Sequence, residues 1–400
     1  MSTSAFQPLL PEARAQPPLL AQAAALIAEG HRLESAAGQL GATLRPLLRS
    51  MNSYYTNKIE GQHTRPADIE CALHQQFDAD KKQALRQRLA LAHIQAEEEL
   101  EGALPSTRTA LYAPEFVQII HANLYRRLPS AEQVSDDGEK VVPGGFRSTG
   151  RVTAGRHLAP EAREIPELID VWQKRYSELP GQEQAVVGAV CSHQRLLWIH
   201  PFPDGNGRAA RLHTHLVLTA LGQTQGLWSP LRGMARQQEA YYARLNNADL
   251  PKRNDLDGRG PLSQEELVAF ASWLLDVCLD QASFMRAQLS LATFKGRLQD
   301  LLLSLAARPW SVGSENSLVK VDALEALHYT AISGPIERAR FMAMTGLAPR
   351  VARRVLSSLI HFGVLKAATS RAAVSFAVPL KSLRFLFPRL WPEAEADGAD

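Results

Sequence analysis

His200-Pro201-Phe202-Pro203-Asp204-Gly205-Asn206-Gly207-Arg208-Ala209-Ala210-Arg211 is the stretch on which the reading of the whole chain turns. A helical run, Gln182 to Ile199, leads into it, and Pro201 stops that run. Two glycines around an asparagine make a tight turn, and apolar residues at helical spacing resume near Arg208. Open backbone N–H groups and the positive dipole end at such a helix start form a phosphate site. Arg208 and Arg211 are three apart on one helical face, so both can address one polyphosphate. Asp204 offers a single carboxylate, a normal complement to phosphate oxygens around Mg²⁺. His200, at the preceding helix end, can take a proton from an attacking hydroxyl near neutral pH. A nucleotide cradle, a metal ligand and a base thus fall within twelve residues, which suits nucleotidyl or phosphoryl transfer.

Two competing readings of the same region fail or stay ordinary. Gly205 to Ala210 fits the loose dinucleotide pattern G-x-G-x-x-A, but a helix precedes it, and Gly222 to Leu231 contains no carboxylate. His213 and His215, two apart on a helix, face different ways and read as ordinary helix histidines.

Working outward, helical periodicity dominates: Leu19 to Ile27, Ile69 to Phe77, Leu85 to Leu100, Pro114 to Tyr125, Arg208 to Ala220, Gln264 to Leu289 and Phe294 to Ala306. Strand-like segments are Gly150 to Leu158 and a second pair, Val364 to Ala367 with Ala372 to Ala377. The fold class is mainly α. The length of 400 residues and 45% hydrophobic content call for two or three packed domains. The apolar stretches His215 to Leu221 and Leu301 to Ala307 are too short to span a bilayer, and no signal peptide is readable at the N-terminus. Cys71, Cys191 and Cys278 lack metal-ligand spacing and fit a reducing compartment, so a soluble, cytoplasmic chain with no membrane partner is expected. Between Ala331 and Arg389 ten Lys/Arg face Glu337 alone, a basic segment that suits a polyanion or forms a solvated face.

The twelve-residue stretch matches, at every defined position, the signature H-x-F-x-[D/E]-G-N-G-R-x-x-R of the Fic family, which the chain resembles over roughly residues 50 to 285. Pro143-Gly144-Gly145-Phe146-Arg147 and the segment to Pro166 resemble the family's approach to its target-docking flap. Tyr241-Tyr242 and Asp257-Gly258-Arg259-Gly260 resemble its downstream region. The resemblance implies a helical bundle with a small β-hairpin flap. It also implies transfer of AMP from ATP, with Mg²⁺, to a Ser, Thr or Tyr hydroxyl of a protein, with the chain itself one candidate target. Carried over by position, His200 is the base, Asp204 the Mg²⁺ ligand, and Gly205, Asn206 and Gly207 the phosphate loop. Arg208 and Arg211 hold the β- and γ-phosphates, Phe202 anchors the loop in the core, and Tyr241 and Tyr242 border the adenine. Thr153, Ala154, Gly155 and Arg156 form the flap that pairs with a target by strand addition. Asp249 stands where some relatives carry Asn near the base, and Ala154 is small for a flap position.

Upstream, Thr56-Asn57-Lys58-Ile59-Glu60-Gly61 resembles the family's inhibitory motif [S/T]-x-x-x-E-[G/N]. Gly61 is a natural residue to follow a helix end, and Thr64 with Pro66 opens the next helix, so Glu60 is expected to end a helix and to need a cation. The resemblance implies that Glu60 pairs with Arg211 and blocks productive ATP; a surface glutamate is the plainer reading. Near the C-terminus, Ala339 to Met344, Thr345-Gly346-Leu347 and Pro349 to His361 read as helix, turn, helix, followed by a small wing. Arg350, Arg353 and Arg354 stand on the second helix, and Ser357 and Ser358 are further phosphate candidates. DNA and protein both remain open as partners of this winged helix-turn-helix.

The expected organisation is an N-terminal helical region (1–105) with an inhibitory helix near 53–61, and a catalytic core (106–290). A connecting helix and linker (291–325), a winged helix-turn-helix (326–392) and an acidic tail (393–400) follow. The expected function is protein adenylyltransferase held back by Glu60. The alternatives are a DNA-binding regulator with a nucleotide-sensing core, or an enzyme of the same family that transfers another group or removes AMP. A homodimer that holds Glu60 in place fits the resemblance, although no residue points to it.

Overall fold

The computed structural model describes residues 4–135, 138–148, 150, 152–154, 156–307 and 317–397, which fall into two compact units. The first comprises Met1–His31, Arg49–Thr64 and Asp68–Ser283; the second comprises Arg32–Leu48, Arg65–Ala67 and Phe284–Asp400.

Helix α1 (Gln16–Ile59) is far longer than the Leu19 to Ile27 segment that periodicity marks. Glycines and Pro46 punctuate the sequence there, yet Gly38 (φ 47°, ψ −137°) only breaks the helix and Pro46 is carried inside it. Buried Leu33, Leu40, Leu44, Leu48 and Met51 continue the apolar face past those breakers, so packing outweighs propensity. Its end follows from chemistry the sequence already displays. Glu60 caps the helix and Gly61 takes φ 71°. Gly61 N–H then donates to Lys58 O (3.0 Å) and Gln62 N–H to Asn57 O (2.8 Å), the paired closure of a glycine-terminated helix.

The rest of the first unit is a helical bundle. After α2 (Pro66–Leu73) and α3 (Lys81–Gly102) come the single turn α4 (Arg108–Leu111) and α5 (Pro114–Tyr125). The hairpin β1 (Thr153–Ala154) and β2 (His157–Leu158) leads to α6 (Ile165–Ser177), α7 (Gln182–Ile199) and α8 (Asn206–Ala220). The short α9 (Leu231–Arg236) and α10 (Gln238–Ala248) precede α11 (Gln264–Gln288). Helix α7 is nearly all buried and packs on both α6 and α8, with Trp172 donating to Ser192 O at 3.0 Å. Gly188 allows that closeness, since a Cβ there would lie 2.1 Å from Leu179 Cδ1. Helix α11 corrects the reading of apolar stretches. One 18-residue window in it reaches a mean hydropathy of 1.3, long and apolar enough to cross a membrane. Buried Leu267, Phe270, Leu274 and Cys278 instead make it a core helix of this unit.

The second unit is built on α12 (Leu291–Ala307), α13 (Leu324–Ser333), α14 (Arg338–Met344) and α15 (Pro349–His361). The antiparallel pair β3 (Leu365–Lys366) and β4 (Ser375–Phe376), then α16 (Leu383–Leu386) and α17 (Pro392–Asp397), complete it. Helix α12 is no connector: its Phe294, Leu298, Leu301, Leu302 and Leu305 are buried in this unit's core. Most of the linker read at Arg308 to Val319 lies outside the described residues. On α15, Arg350, Arg353, Arg354 and Ser357 are exposed. Ser358 is buried, donating to Arg354 O (2.9 Å) and accepting from Leu318 N–H (2.8 Å), which removes it from the phosphate candidates.

Candidate active site

Helix α7 ends at Ile199, and His200 caps it in the left-handed region (φ 49°, ψ 62°). Pro201 disfavours the right-handed conformation for the residue before it. Arg147 fixes the alternative: its Nε donates to His200 O (2.8 Å), and its fork reaches Gly150 O (2.7 Å) and Pro160 O (2.6 Å). Its own N–H donates to Pro201 O at 2.9 Å. A non-glycine residue held this way costs on the order of 1–3 kcal/mol, which this clamp sustains. Burial first, then His157 and Arg147, lowers the His200 pKa to about 4, so the imidazole is neutral and able to accept a proton at physiological pH.

The loop after it is cross-braced. Asn206 Oδ1 accepts from Phe202 N–H (2.9 Å) while its Nδ2 donates to Phe202 O (2.8 Å). Phe202 is 1% exposed and stacks on the His121 ring at 3.9 Å, the anchoring role read from the sequence. Gly205 has φ 75°, and a Cβ there would meet Tyr125 at 2.7 Å, so both backbone and space demand glycine. The N–H groups of Asn206, Gly207 and Arg208 open α8 and point out of its start. Truncating Phe202 to alanine empties a stacked core position, and we expect a loss of about 3–5 kcal/mol, measurable by urea unfolding.

Asp204 stands at the loop's edge. Burial pushes its pKa up, but Arg208, the Tyr125 hydroxyl and the Gly205 N–H hold it below the usual carboxylate value. Tyr125 donates to its Oδ2, and Arg208 Nη2 bridges Tyr125 Oη (2.8 Å) and Asp204 Oδ2 (3.0 Å). His121 Nδ1 accepts from Gly144 N–H (2.9 Å), so its Nε2 carries the proton donated to Asp204 O (3.1 Å). One ionised, partly exposed carboxylate beside a helix start fits Mg²⁺ held jointly with phosphate oxygens.

Arg211 is taken up by the last turn of α1. It is 1% exposed; Nε donates to Thr56 Oγ1 (2.9 Å), Nη2 to Thr56 O (3.2 Å), and Nη2 also to Glu60 Oε1. Gly207 makes room for this, since a Cβ there would lie 2.2 Å from Glu60 Oε1. The two motifs, 151 residues apart, therefore meet in a charged hydrogen bond. The hydroxyl of Thr64 lies buried without a hydrogen-bond partner among the described residues, so Pro66 alone opens α2.

Other expected residues separate. Tyr241 is 1% exposed, shares a 2.8 Å hydrogen bond with His193 Nε2 and lies beside Arg211. Tyr242 is 39% exposed, and its hydroxyl donates to Ile59 O (2.9 Å), as does Gln238 Nε2 (3.0 Å). These two side chains hold the carbonyl just before Glu60. In the flap, Thr153 pairs with Leu158 and Ala154 with His157, a hairpin rather than one strand across Gly150 to Leu158. Thr153, Arg156 and Leu158 are exposed, and Gly155 lies outside the described residues. His157 Nε2 bonds Trp198 O at 2.7 Å, tying the flap to the end of α7. Asp249 accepts from Gln194 Nε2 (2.6 Å) and lies 3.8 Å from His157 Nδ1, next to the flap's anchor. Tyr125, His121 and Gln238 were not singled out by sequence, and Arg147 was quoted there without a role. The signal for two of them was a His and a Tyr at i and i+4, one turn apart on one face of α5.

Residues 111–218 match the Fic/DOC family model. The chain carries a Fic/DOC domain. Curated relatives agree. The chain is 24% identical over 197 residues to "Protein adenylyltransferase Fic" of Nematostella vectensis, covering 49% of this chain and 42% of that protein. It is 30% identical over 122 residues to "Protein adenylyltransferase fic-1" of Caenorhabditis elegans, covering 30% and 22%. The matched stretch thus spans less than half the length of these relatives. The solved structure of C. elegans Fic-1 (residues 134–508) superposes with a TM-score of 0.50 at 16% identity, over 70% of this chain and 76% of that one, a likeness of fold. The matched Fic span contains His121, Tyr125, Arg147, the flap, His200 and Arg211, whereas Thr56, Glu60, Gln238 and Tyr242 lie outside it.

Proposed function

We propose that this Fic protein transfers AMP from ATP to a hydroxyl of a protein, and that Glu60 restrains it. The observation that carries the reading is one loop with a neutral His200 on one side and Arg211, held by Glu60, on the other. In this reading the hydroxyl's proton passes to the His200 ring and its oxygen bonds to the α-phosphorus, while the bond to the β-phosphate oxygen breaks and pyrophosphate leaves. The first N–H groups of α8 hold phosphate oxygens, and Arg208 and Arg211 take the β- and γ-phosphates once their present partners release them. Mg²⁺ at Asp204 would neutralise phosphate charge. Thr153, Arg156 and Leu158 would present a strand edge to the target.

Two measurements test this. Glu60→Gly protein given ATP labelled at the α-phosphate should become labelled with Mg²⁺, and the same protein given γ-labelled ATP should not. Label from the γ-position would instead indicate phosphoryl transfer. The pH profile tests the base: with His200 lowered to about 4, activity should stay level from pH 8 down to about 6 and fall only below about 5. Half-loss near pH 6.5, the value of an ordinary imidazole, would contradict that environment.

A second reading rests on the exposed Arg350, Arg353, Arg354 and Ser357 of α15, which would suit a nucleic-acid backbone. Duplex binding that weakens steeply with salt would support it.

A further inference from the structure

Away from the nucleotide loop, the first unit buries a cluster of ligating side chains that AMP transfer does not use. Glu97 and Glu101, one turn apart on α3, face His215 of α8. His215 Nε2 lies 2.9 Å from Glu101 Oε1 and 3.6 Å from Glu97 Oε1, and one ligand atom from each of the three falls within 4.8 Å of the others. Tetrahedral N/O donors at about 2.1 Å from a Zn²⁺ ion stand about 3.4 Å apart, so this spread brackets what one ion requires.

A second, independent observation points into the same place. His93, one turn before Glu97 and 1% exposed, has no hydrogen-bond partner for either ring nitrogen among the described residues. Its Nδ1 lies 3.6 Å from Glu97 Oε2, itself without a hydrogen-bond partner among them. A buried imidazole aimed at an unsatisfied carboxylate oxygen is costly unless something joins them. The surrounding groups have the arrangement that orients metal ligands. Asn52 donates to Glu97 Oε1 (2.8 Å), and Arg49 donates through Nε (3.0 Å) and Nη2 (2.9 Å) to Glu101 Oε2, leaving Oε1 toward His215. The nearby guanidiniums are each matched by a carboxylate outside the cluster: Arg49 by Glu98, Arg208 by Asp204, Arg211 by Glu60. Two carboxylates balance a dication.

We propose that Glu97, Glu101 and His215 bind one divalent transition metal ion of the Zn²⁺ type, with His93 facing its fourth position, as a staple between α3 and α8. The mixed carboxylate and imidazole set, without thiolate, favours Zn²⁺ or Co²⁺ over Ca²⁺. The site is separate from Asp204. It also touches the restraint: Asn52, Thr56 and Glu60 recur every four residues along one face of α1, the first on Glu97 and the other two on Arg211.

The test uses the full chain, stripped with chelator and titrated with Zn²⁺ against a chromogenic competitor. One Zn²⁺ should bind per chain, with a melting temperature that climbs with Zn²⁺ concentration. Glu97→Gln with His215→Gln should abolish that binding, and Asn52→Ala should weaken it about 10- to 100-fold. No stoichiometric binding, or binding unchanged in the double variant, would overturn the proposal. Should the double variant not fold, Co²⁺ in the wild-type chain decides. An intense four- or five-coordinate ligand-field spectrum without thiolate bands supports the site. The weak spectrum of six-coordinate Co²⁺ at the surface counts against it. Because every readout is metal binding, failure here leaves AMP transfer untouched.

Discussion

Glu60→Gly should release pyrophosphate from ATP, in a coupled assay with Mg²⁺, about 10- to 100-fold faster than the wild-type chain. The expectation comes from what Arg211 is doing. It is 1% exposed and fully occupied by Thr56 Oγ1, Thr56 O and Glu60, so a γ-phosphate must displace a carboxylate to reach it. Glu60 keeps 31% of its side chain exposed, which screens the pair. A net contribution of about 1.4–2.8 kcal/mol then corresponds to the stated rate change. The same substitution leaves a buried guanidinium without its carboxylate, so stability should fall while activity rises. That opposite movement separates a lost restraint from general loosening, which would lower both. Gly207 adds a corollary: a side chain there would collide with Glu60 Oε1, so the loop glycine serves the restraint as well as the phosphate.

His200→Ala in the Glu60→Gly background should lower AMP transfer about 10²- to 10⁴-fold, the usual contribution of a positioned base. ATP affinity, measured by calorimetry, should barely change, because the groups read as holding phosphate are Arg208, Arg211 and the start of α8. A parallel loss of affinity would mean that His200 supports the loop rather than the chemistry. The αL backbone of His200 makes this comparison useful, since Arg147 holds its carbonyl and not its ring.

Much of this was legible in the chain, and the limits have physical causes. The loop was read correctly because glycine, proline and asparagine dictate backbone locally: Gly61 ends α1, and Gly205 opens α8. A helix-ending carboxylate needs a cation, but that Arg211 supplies it came from the family resemblance, and the structure joins the two. Which of Tyr241 and Tyr242 the core receives is not legible, because two adjacent tyrosines on a helix face different ways; Tyr241 is 1% exposed and Tyr242 39%. Arg147 and Gln238 act on backbone distant in sequence, and such contacts leave no periodic trace. His215 was read as an ordinary helix histidine, yet it faces Glu97 and Glu101, partners more than a hundred residues away. The full span of α1 is not legible, because Gly38 and Pro46 interrupt helical propensity while the buried face on either side carries the helix through.

The most direct test incubates wild type, Glu60→Gly, and Glu60→Gly with His200→Ala in parallel with Mg²⁺ and α-labelled ATP, and reads label on protein. Strong label is expected with Glu60→Gly, little with wild type, and almost none with the double variant. Equal label in all three, or none in any, would contradict that expectation.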